Sequence, residues 1–295
     1  MDKTKPFQKI GLIAKSSIAK HLDCLKPLIA FLEKRKSEIF LDEYCSKALK
    51  KRTHYTKEQL LKKSDLIITV GGDGTILKTA RCLNKRDNAP IFGVNFGTLG
   101  FLTESTPQKM LKDIKKVLDG KYVVDRRMVL RVTIYRKGKK IKTMLGLNDA
   151  VINQGSFARL IQLNMQIDQR KVLDFKADGM IVATPTGSTG HALSAGGPIV
   201  HPCFHALIFT PICPVSLSNR PLVLPPQRQL AIGVDTDRRK YSGNIGLTVD
   251  GQVTMSLKYG DKIKIRQSSR HFDMLRLSGN NYYKILRHKL NWGKE

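Results

Sequence analysis

Several familiar signals are missing from this 295-residue sequence, and each absence removes a class of answer. Its five cysteines, Cys24, Cys45, Cys82, Cys203 and Cys213, form no C-x-x-C and no paired spacing. They read as reduced thiols of a cytoplasmic protein, not as a disulfide framework. The opening stretch, MDKTKPFQKI, has no apolar signal core. The longest apolar region, Pro198–Pro226, is broken by prolines and histidines. A clean membrane-spanning helix needs about 20 apolar residues, so no membrane association is expected. No internal repeat or low-complexity segment is present. G-x-x-x-x-G-K-[ST] is absent, which excludes a P-loop, and G-x-G-x-x-G is absent, which removes the ordinary dinucleotide fingerprint. Acidic residues are scarce: 24 Asp and Glu against 52 Lys and Arg leave a net charge of +28.

Such a charge draws polyanions (nucleotides, polyphosphate, nucleic acid, acidic lipid) without choosing among them. Much of it is scattered in runs such as Lys34-Arg35-Lys36, Lys50-Lys51-Arg52 and Arg238-Arg239-Lys240, which read as solvated surface. The lysines are not interleaved with aromatics and no recognition motif is present, so no specific nucleic-acid partner is expected. His201-Pro202-Cys203-Phe204-His205 has the residue types of a metal cluster. The nearby prolines and the lack of a second cluster make it a loop, and no protein-held metal is expected.

The informative stretch that is present begins at Asp65, with DLIITVGGDGTILKTAR. Leu66–Val70 is a short run rich in β-branched residues and reads as a buried strand. Gly71-Gly72-Asp73-Gly74 follows at once, and Thr75 opens a helical pattern through Ile76, Leu77 and Ala80. Glycines let backbone approach an anion closely, and the free N–H groups of a first helical turn point at it. A carboxylate in such a cradle is unfavourable unless it works, taking a proton from a hydroxyl or holding a metal that travels with the phosphates. A tight turn capped by Asp73 explains these residues as well.

Around this stretch, strands are expected at Lys9–Ala14, Glu38–Leu41 and Pro90–Asn95. Helices are expected at Ile18–Leu32, Thr56–Lys63 and Pro107–Leu118, with Pro27 kinking or splitting the first. A second glycine-rich turn, Phe96–Leu102, follows the strand at Pro90–Asn95. Alternating strands and helices predict a Rossmann-like parallel sheet with helices on its faces, and ligands beyond the strands' carboxyl ends. From Lys121–Arg127 the pattern turns to period two. Strands are expected at Val129–Arg136, Leu147–Asn153, Leu160–Asp168, Met180–Thr184, Gln229–Val234, Asn244–Val249, Val253–Leu257 and Lys262–Gln267. Asn281–Leu290 looks helical again. The expected architecture is α/β: an N-terminal parallel-sheet domain over 1–125 and a β-rich, sandwich-like domain over 126–268, with 269–295 free to pack back on the first.

Asp178–Pro198, DGMIVATPTGSTGHALSAGGP, joins an acid, a strand, a Thr/Gly/Ser turn and a small-residue stretch. Hydroxyls and bare N–H groups suit a ribose or a diphosphate, although a turn with packing glycines has the same composition. Taken with GGDGT at Gly71–Thr75, NFGTLGFL at Asn95–Leu102, LNDAVI at Leu147–Ile152, SNRPLVLP at Ser218–Pro225, VDGQ at Val249–Gln252 and LRHKLNWG at Leu286–Gly293, the chain resembles the NAD kinases, bacterial type. These transferases phosphorylate the 2′-hydroxyl of the adenosine ribose of NAD to make NADP. GGDGT alone is shared with diacylglycerol and sphingosine kinases; the Asp178–Pro198 pattern is specific.

The resemblance implies ATP or polyphosphate as donor, Mg2+ accompanying it, NAD as acceptor and a homo-oligomer, dimer or tetramer. It implies that Asp73 orients or deprotonates the 2′-hydroxyl, that Gly72, Gly74 and Thr75 belong to the phosphate cradle, and that Phe101 and Leu102 make apolar contacts to the adenine end. Asn148 with Asp149 matches an Asn-Glu pair that hydrogen-bonds the dinucleotide. Asp178, Thr189, Gly190, His191 and Ser194 match the rest of the NAD site. Lys78, Arg81 and Lys176 are candidate cations for the phosphates. Two departures stand out: Asp149 is one methylene shorter than the usual Glu, and Gly190-His191 replaces Ala-Tyr, trading a phenol for a ring that titrates near neutrality. Two alternatives from other readings are a lipid kinase sharing GGDGT and a basic nucleic-acid-binding protein.

Overall fold

The computed structural model describes residues 7–86, 88–97, 100–154, 160–235, 245–279, 282–291 and 293. The chain divides into two compact units, Met1–Arg126 with Phe272–Glu295, and Arg127–His271.

The first unit is built on parallel strands β1 (Lys9–Ala14), β2 (Glu38–Leu41), β3 (Leu66–Val70) and β4 (Ile91–Val94), in the order β2-β1-β3-β4. The last residues of β16 (Lys262–Arg276) join beyond β4, with Met274 opposite Ile91. All five residues of β3 are buried, as expected for a central parallel strand covered on both faces. Helix α1 (Leu22–Lys34) buries Leu25, Leu28, Ile29 and Leu32, a stripe at helical spacing. They pack with Ile10, Leu12, Ile68, Val70 and Phe92 into one core that also takes Ile114 and Val117 of α5 (Met110–Leu118) and Leu275. Helix α6 (Tyr282–Leu290) belongs to this unit.

Four expectations need correction here. The first helix is split at His21, ahead of Pro27: a 3-10 turn over Ser16–His21 precedes α1, and Pro27 lies inside α1. A short helix, α2 (Glu43–Ala48), was not anticipated; Asp42 caps it by accepting from Cys45 N at 2.8 Å. Helix α3 (Lys57–Lys63) starts at its Thr56–Gln59 capping box, as its sequence implies. Helix α4 (Asp73–Ala80) begins two residues before Thr75, with Gly72 as its N-cap and Asp73 in its first turn. Helix α5 begins at Met110 rather than Pro107.

The second unit is β-rich. One sheet has the order β12-β11-β10-β7-β14-β15, from β7 (Asp149–Gln154), β10 (Gly179–Ala183), β11 (Leu207–Ile212), β12 (Leu222–Leu224), β14 (Ile245–Val249) and β15 (Val253–Ser256). The other holds β5 (Val123–Arg136), β6 (Lys139–Gly146), β8 (Ile161–Ile167), β9 (Arg170–Ala177), β13 (Leu230–Val234) and the first part of β16. Inward residues of both (Leu130, Val132 and Ile263 from one, Ile152, Val182 and Leu247 from the other) form a single core, the construction of a sandwich.

Strands β6, β9, β11 and β12 were not read from sequence. The first four residues of β6 are exposed, Lys139, Lys140 and Lys142 among them, and β9 is mostly exposed, burying Phe175 and Ala177. β11 contains Pro211, but β12 pairs only with Leu207–Phe209, so the proline lies past the ladder that its missing N–H would break. The expected starts at Asn244 and Asn281 lie outside the described residues, as do Thr98, Leu99 and Trp292 of the motifs.

Candidate functional site

The residues of interest fall into two constellations, one in each unit.

In the first unit, β3 delivers Gly71 and Gly72 to the start of α4. A Cβ on Gly71 would overlap Thr75 Oγ1, so this close turn requires glycine. Asp73 is half-buried. Its carboxylate bridges to the second glycine turn: Phe101 N donates to Oδ2 at 3.0 Å and Leu102 N donates to Oδ1 at 3.2 Å. Gly100 closes this contact, since a Cβ there would overlap the Asp73 carboxyl group. Gly72, Asp73, Gly74, Thr75, Phe101 and Leu102 therefore share one locality. Leu102 and Thr75 are buried, Phe101 half-buried, and Gly74 exposed.

The Phe101–Glu104 segment is itself anchored. Arg276 donates to Phe101 O at 2.9 Å, to Glu104 Oε2 at 2.9 Å and to Asp125 Oδ2 at 3.1 Å. Leu277 N donates to Glu104 Oε1 at 2.7 Å. Glu104 is almost fully buried, and a buried carboxylate persists only when paired and hydrogen-bonded in this way. Neither Arg276 nor Glu104 was singled out from sequence. An acid two residues beyond Leu102 was the local signal, but its partner is 172 residues away. Of the candidate cations, Lys78 is exposed on α4, and Arg81 is half-buried with its Nη1 lacking a hydrogen-bond partner.

In the second unit, Asn148 and Asp149 open β7. The organising residue is Asp250, in the turn between β14 and β15. Asp250 (φ 52°) and Gly251 (φ 64°) both take the left-handed conformation, the geometry that an Asp-Gly hairpin turn favours. Its carboxylate accepts from Leu147 N at 2.9 Å, Asn148 N at 2.8 Å and Asp149 N at 3.2 Å. Asp250 lies in the VDGQ motif, yet nothing local in that motif marks it as the anchor of residues a hundred positions earlier.

Thr184 secures the other side. Its N–H donates to Asn148 O at 2.8 Å and its hydroxyl to Leu147 O at 2.6 Å, while Gly187 N donates to Thr184 Oγ1 at 3.2 Å. A Cβ on Gly187 would overlap the Asn148 carbonyl. Among the described residues, Asn148 Oδ1 is buried with no hydrogen-bond partner. Asp149 is buried, and its carboxyl is pushed up to about 7, first by burial and then by the neighbouring Asp250 charge. Two close carboxylates cannot both ionise freely away from water.

Thr186–Thr189 forms a 3-10 turn, which Ser188 ties down by donating to Pro185 O at 2.7 Å and accepting from Val200 N at 3.0 Å. Arg127, also buried, donates to Thr186 Oγ1 at 3.1 Å. Gly190, His191 and Ser194 follow, all exposed, with Thr189 and Asp178 half-buried. Asp178 stands just before β10, its N–H donating to Ile212 O at 3.0 Å. Lys176 is exposed near the end of β9.

Among the described residues no group of three or more His, Cys, Asp or Glu is placed to hold a metal ion. All five cysteines are free thiols. No helix among the described residues is long and apolar enough to cross a membrane.

The model of the ATP-NAD kinase N-terminal domain matches residues 11–122 and that of the C-terminal domain matches residues 147–277. Two proteins named NAD kinase, from Geotalea daltonii and Geobacter sulfurreducens, are each 38% identical over 288 residues, covering 98% of this chain and 100% of the relative. The crystal structure of yeast NADH kinase complexed with NADH superposes with a TM-score of 0.86 at 25% identity, covering 99% of this chain and 90% of that one. An NAD kinase from Archaeoglobus fulgidus in complex with ATP gives 0.70 at 27% identity, covering 96% and 98%. With both domain models matched in order and relatives aligned over nearly the whole length, this chain belongs to the ATP-NAD kinase family.

Proposed function

We propose that this protein is an NAD kinase that transfers the terminal phosphoryl group of ATP, or of polyphosphate, to the 2′-hydroxyl of the adenosine ribose of NAD, giving NADP. The observation that carries the reading is the paired match of both family domains. The neighbours named as binding NADH and ATP support the two substrates. A lipid kinase is not favoured: it shares GGDGT but does not account for Asp178–Pro198, and a nucleic-acid-binding role has no support beyond charge.

The division of labour follows the expected boundaries: residues 1–125 with 269–295 act as the nucleotide-binding domain, and 126–268 as the NAD-binding domain. Asp73 is the proposed general base. A ribose hydroxyl is a weak acid, and a positioned carboxylate taking its proton contributes about 10²–10⁴ in rate. Two backbone N–H groups hold this carboxylate in place, which leaves lone pairs for the hydroxyl, since an ionised carboxyl offers about four acceptor sites. As the proton moves to Asp73, the ribose oxygen bonds to the terminal phosphorus and the bond to the donor's bridging oxygen breaks. Gly72, Gly74 and Thr75 cradle phosphate with backbone N–H groups and the α4 N-terminus. Lys78, Arg81 and Lys176 are the cations offered to it.

Asn148 and Asp149 bind the dinucleotide, and the unpartnered Asn148 Oδ1 supports an incoming donor there. Phe101 and Leu102 flank the adenine end, and Asp178, Thr189, Gly190, His191 and Ser194 complete the NAD site. Mg2+ arrives with the donor's phosphates. That mode is common for magnesium, which is held largely by phosphates and water with one or two carboxylates. The protein acts as a cytoplasmic homo-oligomer, dimer or tetramer.

The test is direct. Purified protein is incubated with Mg-ATP or polyphosphate against NAD or NADH, and NADP is followed with a coupled dehydrogenase. Parallel incubations contain diacylglycerol and DNA. NADP formation supports the reading; phosphorylation of diacylglycerol with no NADP overturns it.

A further inference from the structure

We propose that the second unit carries an additional anion site, on the outer face of the sheet containing β5 and β16, that takes a short chain of phosphates. Strand alternation builds it. Along β5, Leu130, Val132 and Ile134 enter the core, and Arg131, Thr133 and Tyr135 face the other way. On β16, Ile263 and Ile265 are inward, and Lys264 and Arg266 are outward. With Lys140 of β6 and Gln229 before β13, these outward residues line a concavity of about 160 Å³. None of them belongs to the residues assigned to NAD phosphorylation.

The charge in that concavity is uncompensated. Among the described residues, Arg131, Lys140, Lys264 and Arg266 make no ion pair, and no carboxylate lines the cavity. Lys264 Nζ rests over the Tyr135 ring, 5.1 Å from its centroid. The acids nearby in sequence are already engaged. Asp261 receives Arg136 at 2.7 and 2.8 Å, and Asp168 receives Arg228 at 2.7 Å and Gln229 N at 3.0 Å. Clustered like charges repel in a partly dehydrated hollow and gain most from a compact counter-anion. Two arginines supply planar forks suited to phosphate oxygens. Thr133, Tyr135 and Gln229 add neutral donors. A hollow of this size fits a few phosphate groups better than a duplex, so the ligand class is an oligophosphate, free or as the tail of a nucleotide.

The experiment titrates inorganic tripolyphosphate by calorimetry into the wild type, Arg131→Ala/Arg266→Ala and Lys34→Ala/Lys112→Ala. The last pair removes equal charge from exposed positions in the other unit. One binding event is expected to weaken at least roughly tenfold in the arginine variant alone, with kcat for NAD unchanged in both. Repeating with ATP identifies the source: weakening in both titrations assigns the site to any phosphate chain, and weakening with tripolyphosphate alone assigns it to the free chain. Lys140→Ala/Lys264→Ala repeats the measurement should the arginine variant fail to fold. Equal weakening in the distant lysine variant, or dependence on these residues for duplex DNA but not for tripolyphosphate, overturns the proposal. The outcome is independent of the NAD assay, so failure of one does not decide the other.

Discussion

Replacing Asp73 by asparagine removes two things at once, and their sizes differ enough to be separated. The first is the proposed base. Losing a positioned carboxylate is expected to lower kcat by about 10²–10⁴, equivalent to about 2.7–5.4 kcal/mol at about 1.36 kcal/mol per decade. The second is structural. The two carboxylate oxygens each accept one N–H, from Phe101 and Leu102. An amide has one oxygen, so one of these donors meets an NH₂ group, at a cost of about 1–3 kcal/mol. Asp73→Asn is therefore expected to fold, melt a few degrees lower, and lose most turnover at saturating NAD and Mg-ATP. The coupled NADP assay reads kcat, and a thermal melt reads stability. Gly100→Ala is the comparison, because its Cβ presses on the same carboxylate without removing it. If Asp73→Asn keeps near-normal kcat, the carboxylate is a loop fastener and not the base; Gly100→Ala, which displaces the carboxylate, is expected to lower kcat as well.

Three further outcomes follow from the same geometry. Asp149, raised to about 7 by burial and Asp250, keeps its proton in the folded state where the unfolded chain has lost it. The native protein then binds more protons than the unfolded chain between about pH 4 and 7, so this residue's contribution makes stability fall across that window and level off above it. Asp149→Asn is expected to flatten that slope in pH-dependent melts and to raise the melting temperature more at pH 8 than at pH 5. Wild-type KM for NAD should rise as pH drops from 8 to 6, as Asp149 loses an acceptor, and the variant should remove that dependence. Arg276→Ala leaves the buried Glu104 without its cation, with an expected loss of about 3–5 kcal/mol in urea unfolding. Gly187→Ala pushes a methyl group into the Asn148 carbonyl. It is expected to cost about 1–3 kcal/mol and to raise KM for NAD, measured by melt and steady-state kinetics.

Local chemistry carried much of the fold and part of the site. β3 is apolar and β-branched, so it had to be a buried strand, and the glycines after it had to be a tight turn. The period-two pattern beginning near Val129 set off the β-rich portion, and the motif order identified the family resemblance. Amphipathic pattern could not expose β9, which is mostly exposed, or β6, whose first four residues are exposed and include three lysines, or β11, whose Pro211 argues against a strand until β12 is seen to stop short of it. Nor could sequence show that Asp73 is held by Phe101 and Leu102, that Asp250 gathers Leu147, Asn148 and Asp149, or that Arg276 reaches back to Glu104. Those contacts join residues 28 to 172 positions apart. A motif records which groups are available over a few neighbouring residues, whereas their hydrogen-bond partners, burial and charge are set only when distant segments are packed together. Here local chemistry supplied the reagent groups, and packing set how each is held and, for Asp149, which protonation state it favours.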